Sequence, residues 1–92
     1  MRLDMFLKVS RLVKHRALAK KACEAGLVEV GGTKAKPSKK VQEGQVVRIR
    51  SSTRLLEVRV LKIPRGNVSK TEAPSLYQTI RDERSSWDIE DA

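Results

Sequence analysis

The chain changes its hydrophobic period once, at Gly26, and that switch limits the folds open to it. Before it, Leu3, Phe6, Leu7, Leu12, Leu18 and Ala22 recur at helical spacing; after it, Val28 and Val30 alternate with Glu29. A repeat of about 3.6 residues gives a helix one apolar face, whereas strict alternation gives a strand one apolar side. The expected architecture is therefore α+β: two N-terminal helices packed on a small, mostly antiparallel sheet.

The first helix is expected from Arg2 to about Leu12, with Asp4, Lys8, Arg11 and His15 on one polar stripe facing outward. A short break at Val13 and Lys14 leads to a second helix from His15 to Ala25. It would bury Leu18, Ala19, Ala22 and Cys23, and Gly26 would supply the left-handed residue that ends it. In "LVEVGGTKAKPSKK" the Gly31-Gly32 pair suits a tight hairpin turn, and Lys34 and Lys36 fall on one side of the return strand until Pro37 stops it. A turn at Glu43-Gly44 precedes a strand from Gln45 to Arg50. "RLLEVRVLKI" then sets Leu56, Val58 and Val60 against Glu57, Arg59 and Leu61. Beyond Ile63 the chain reads as a polar loop, then a short helix with Leu76, Tyr77 and Ile80 on one face, then a frayed acidic end, "SSWDIEDA". Tyr77 and Trp87 are assigned to core or tail packing.

Charge is distributed as unevenly as hydrophobicity. Residues 1–50 carry 13 Lys and Arg against 4 Asp and Glu, whereas residues 51–92 carry 7 against 7, so the whole excess of +9 lies in the first half. A segregated excess gives one face a positive potential and points to a polyanion. RNA, DNA and an anionic membrane surface all carry the required charge. The membrane is the least suitable, because the apolar residues are committed to a core.

Length and residue content exclude other classes. Ninety-two residues make one small core, too little for separate substrate and cofactor modules. One cysteine, set among alanines, excludes an internal disulfide and Cys-rich zinc patterns, and one histidine cannot build a catalytic constellation. No Gly-rich phosphate loop, paired carboxylates or metal-ligand spacing is present, so the chain reads as non-enzymatic, without a cofactor, monomeric and cytoplasmic.

The candidate contacts follow from the pattern. Arg2, Lys8, Arg11, Lys14, Arg16 and Lys20 come from the helices, and Lys36 and Lys39 flank the hairpin exit. Together they could grip a duplex or stem-loop backbone, reading shape rather than splayed bases, since aromatics are only 3% of the chain. Lys21 and Lys40 read as plain surface, and Arg48, Arg50 and Arg59 as the outer side of the sheet. His15 is either a solvated residue at a helix start or a phosphate or base contact. Asp4 is either a favourable charge in a first helical turn or the partner of an arginine, Arg16 or Arg2, whose guanidinium it fixes for phosphate.

"RLDMFLKVSRLVKHRALAKKACEAGLVEVGGTKAKPSKKVQEGQVVRI" resembles the S4 RNA-binding domain family. The likeness lies in the Arg-Leu-Asp opening, the Arg-Leu ending of the first helix, the Arg with Ala three positions on, the Gly and the Val-x-Val hairpin. His15 stands where Ser is usual, Gly31 where Asn is usual in the hairpin, and Gln45 where Asp is common. The likeness implies an S4-like domain over residues 1–63 and an extension over 64–92. It also implies that helices and hairpin form one L-shaped surface on folded RNA.

Among stand-alone members, the ribosome-associated quality-control branch is the most similar. That likeness implies binding of large-subunit ribosomal RNA and peptidyl-tRNA on obstructed subunits, beside a partner that adds a C-terminal alanine tail. The heat-shock branch implies rescue of blocked subunits without tailing. A basic adapter for an acidic protein partner is the alternative of another class.

Overall fold

A computed structural model describes residues 1–84. Helix α1 spans Leu3–Val9 and helix α2 Arg16–Glu24; strands follow at Val28–Val30 (β1), Thr33–Lys34 (β2), Val46–Arg50 (β3), Arg54–Val60 (β4) and Tyr77–Arg84 (β5). The sheet order is β2-β1-β3-β4-β5 and every pairing is antiparallel.

The first turn of α1 is capped by a distant segment. The backbone N–H groups of Leu3 and Asp4 donate to the carbonyls of Lys39 (2.7 Å) and Pro37 (3.1 Å), and that of Met5 donates to the Asp4 carboxylate (2.8 Å). The donors that a helix start leaves without intrahelical partners are thus met by the chain itself. Val41 N–H to the Met1 carbonyl (2.9 Å) extends the contact, so residues 37–41 are fastened along the entry to α1.

Both helices are shorter than their apolar spacing predicts. α1 ends at Val9 because Arg11 takes a left-handed conformation (φ 61°), and residues 10–15 form the connector. α2 ends as expected at Gly26 (φ 76°). The N–H of Gly26 donates to Cys23 and that of Leu27 to Ala22, the paired bonds of a Schellman cap. At its other end His15 caps without a side-chain hydrogen bond. Serine there is expected to accept a hydrogen bond from a backbone N–H of the first turn, stabilising the protein by about 1 kcal/mol. A His15→Ser melting temperature below that of the parent chain would contradict the capping account.

Leu3, Phe6, Leu7, Ala19 and Cys23 from the helices meet Val28, Val30, Val47, Leu56, Val58 and Val60 in one buried cluster. Leu18 does not join it and is 49% exposed, since α2 turns Ala19 and Cys23 inward instead. On the opposite face of the sheet, the register aligns Lys34, Glu29, Arg48, Glu57 and Arg81 in one row across five strands. Arg48 reaches Glu29 (3.9 Å) and Glu57 (3.4 Å), and Arg81 reaches Glu57 (3.6 Å). Both arginines of this row are ion-paired, unlike Lys8, Lys20 and Lys21 on the helices, which form no ion pair among the described residues.

The expected C-terminal helix is absent from the described residues. Ala73–Leu76 forms a single 3-10 turn, and Tyr77–Arg84 pairs along the whole of β4. Without that partner β4 would present its backbone groups at an open edge, and Tyr, Thr and Ile favour the pleated surface. A bulge between Glu57 and Val58 leaves Ile80 without an opposite residue and 48% exposed. The acidic end and Trp87 lie outside the described residues.

Candidate nucleic-acid interface

Asp4 is the hinge of the site. It is 1% exposed, not on an outward stripe as its spacing with Lys8 and Arg11 suggests, because the first turn of α1 points it toward α2. Its Oδ1 accepts from Arg2 Nε (3.2 Å) and its Oδ2 from Arg2 Nη2 (3.3 Å) and Arg16 Nε (3.3 Å). With the Met5 N–H, the carboxylate accepts four hydrogen bonds. Both arginine side chains stay about half exposed, at 49% and 46%, so each is held at one edge and open at the other.

The electrostatics agree with the geometry. Burial disfavours the Asp4 carboxylate, but hydrogen bonds and charge from Arg2 and Arg16 outweigh it and hold the group below the usual carboxylate range. A depressed folded-state value means that the stabilisation is present above the unfolded-state value of about 3.9 and lost as pH falls through the lower folded one. The latch is therefore closed at neutral pH.

Around it the structure gathers part of the predicted set. Arg2, Lys20 and Lys36 line one cleft with Cys23, Glu24, Pro37 and Ser38. Lys36 and Ser38 are shared with an adjoining depression that adds Lys34 and Lys39. Lys8, Arg11 and Lys14 line a different cleft, and His15 lies exposed at the N-cap of α2. Lys34, which strand alternation sets on the same side as Lys36, was not among the residues expected to bind; its ammonium lies over Gly26, where a Cβ would come within 3.3 Å of it. That position also favours the negative end of the α2 dipole. Ser38 and Glu24 had no distinguishing signal in the sequence.

Cys23 lies under the first cleft and is 5% exposed. Burial pushes its thiol up to about 11, with the charges of Asp4 and Glu24 adding to the effect. It should stay a thiol at pH 8, and iodoacetamide should leave the native protein unmodified while alkylating it fully in denaturant. Equal rates in the two states would place the sulfur in solvent. Among the described residues no group of three or more His, Cys, Asp or Glu is placed to hold a metal ion, and no helix is long and apolar enough to cross a membrane.

The S4 domain model matches residues 1–47, a span that contains both helices, the hairpin and the latch. The chain belongs to the S4 domain family. Its first helix, second helix and hairpin are thus the S4 unit, and β4 and β5 extend the sheet beyond the matched span. It is 45% identical over 83 residues to the RQC P-site tRNA stabilizing factor of Halalkalibacterium halodurans, covering 90% of this chain and 93% of that one. The factor of the same name from Bacillus subtilis is 38% identical over 84 residues, covering 91% and 96%. Among solved structures, Vibrio cholerae heat shock protein 15, a trimer, superposes with a TM-score of 0.78 at 34% identity, covering 86% of this S4 chain and 80% of that one.

Proposed function

We propose that this chain is a non-enzymatic RNA-binding factor that docks on obstructed large ribosomal subunits, gripping ribosomal RNA and peptidyl-tRNA by their phosphates. The observation that carries the reading is the Asp4 latch. Two guanidinium groups are fixed by one buried carboxylate and still half exposed; Arg2 shares its cleft with Lys20 and Lys36, and Arg16 is joined to it through Asp4, so the group offers several cations to a sugar-phosphate chain. Relatives named as P-site tRNA stabilizing factors, similar over nearly the whole chain, support tRNA as one of the ligands. The mechanism is positional: phosphate contacts favour one placement of the tRNA while a partner factor adds alanines to the stalled chain. Such a factor works in the cytoplasm, as a monomer.

The likeness to heat shock protein 15 favours a second reading, rescue of the blocked subunit without tailing. Deleting the gene separates them, since loss of alanine tails is expected for the first and unchanged tails for the second. RNA binding itself is tested by salt. Log affinity for ribosomal RNA should fall linearly with log salt, with a slope of about −0.7 to −0.9 per phosphate contacted. A flat response would point to an acidic protein partner instead.

A further inference from the structure

The second cleft, of about 320 Å³, is lined by Lys8, Val9, Arg11 and Lys14 from α1 and its connector, and by Asn67 and Val68 from the segment after β4. None of its three cations forms an ion pair among the described residues, in contrast to Arg2 and Arg16, which share Asp4. Arg11, the residue after the α1 C-cap, adopts φ 61°, a conformation that L side chains other than Asn and Asp seldom take, and with it the connector turns at this cleft. On the other wall, Val68 packs against the core and so anchors the loop, while Asn67 beside it is exposed. No acidic residue lines this cleft; Glu72 lines an adjoining depression that shares Asn67 and Val68 with it.

In this cleft every polar side chain except Asn67 is a cation. Ammonium and guanidinium groups answer the phosphate charge that all nucleic acids share, and they attract any polyanion. A carboxamide oxygen can accept the proton of a ribose 2′-hydroxyl, which ammonium and guanidinium groups, being donors only, cannot do. We propose that the loop bearing Asn67 completes a second RNA contact, in which Lys8, Arg11 and Lys14 hold the backbone and the Asn67 carboxamide hydrogen-bonds a ribose 2′-hydroxyl. The inference rests on the RNA-binding reading and gives residues 64–68 a ligand-selecting task that the cations cannot perform.

The test compares a short RNA hairpin with its fully 2′-O-methylated counterpart, which keeps the A-form shape and phosphates and lacks the hydroxyl donor. The full-length protein is expected to bind the unmodified hairpin more tightly by about fivefold, the scale of one hydrogen bond. Asn67→Ala should remove that preference and leave the salt slope unchanged. Lys14→Ala should weaken both hairpins equally and lower the slope by about one phosphate. If Asn67→Ala keeps the full preference, or the parent chain has none, the assignment of Asn67 is overturned while the RNA-binding reading survives. Salt-insensitive or undetectable binding of both hairpins by the parent chain overturns that reading as well.

Discussion

Replacing Phe6 with alanine should cost about 3–5 kcal/mol of folding stability, the largest loss expected from any single side chain of this domain. Phe6 is 0% exposed in the middle of α1 and is one of only three aromatic residues in the chain. Its ring lies among buried residues that are otherwise Leu, Val, Ala and Cys, with Tyr77 packed only against the outside of the cluster, so small side chains surround the space the ring would leave. α1 has seven residues, too few to persist without its packing, so a cavity there also loosens the Asp4 latch on the same helix. Small domains have total stabilities of roughly 5–15 kcal/mol, and this one lies in the size range where the lower figure applies. The thermal midpoint should therefore drop by about 12 °C or more, or the cooperative transition should vanish. Leu18→Ala provides the control, because its half-exposed position predicts a change within about 0.5 kcal/mol. Similar losses from both variants would show that the core is not where the buried cluster places it.

The contrast between Phe6 and Leu18 also shows what a sequence of this kind discloses. Period alone placed Phe6 and Leu7 inside, and the switch at Gly26 located the helix-to-sheet boundary to the residue, because a left-handed cap and strand alternation coincide there. Period could not separate Leu18 from Ala19. On a helix surrounded by small residues the buried side is decided by which one lets the backbones approach, and that information lies in the partner element. β5 escaped for a related reason. Leu76, Tyr77 and Ile80 fit one helical face, but the edge of β4, a neighbour distant in sequence, selects the extended form.

The candidate site was legible as a set of cations and not as an arrangement. Charge segregation identified the basic half, yet the division of its residues between two clefts depends on backbone hydrogen bonds from Leu3 and Asp4 to residues 37–39. Asp4 illustrates the limit. Its two readings, a helix-dipole charge or an arginine partner, differ only in burial and contacts, and the structure gives it both arginines.

Arg16→Ala should weaken ribosomal RNA binding by about tenfold to a hundredfold at low salt, the span of a charge-assisted hydrogen bond worth roughly 1.5–3 kcal/mol. Arg59→Ala, on an exposed position of the outer sheet face, should change it less than twofold, within the range of about 0.5 kcal/mol typical of isolated surface residues. Asp4→Asn supplies the sharper discrimination, because two physical pictures give it opposite signs. If the surface acts only through its summed field, removing a carboxylate from a chain of net charge +9 makes it more positive and RNA binds more tightly. If Asp4 acts by holding Arg2 and Arg16 in place, the near-isosteric amide keeps one acceptor oxygen but loses the ion pairs with both arginines, the guanidinium groups must be ordered by the ligand, and affinity falls by about fivefold. In an Arg16→Ala background that fall should shrink, since one of the two groups Asp4 holds is already gone, and the difference between backgrounds measures the coupling. Tighter binding by Asp4→Asn, with native circular dichroism, would reduce the carboxylate to a structural tie between helices and leave the field as the whole basis of affinity.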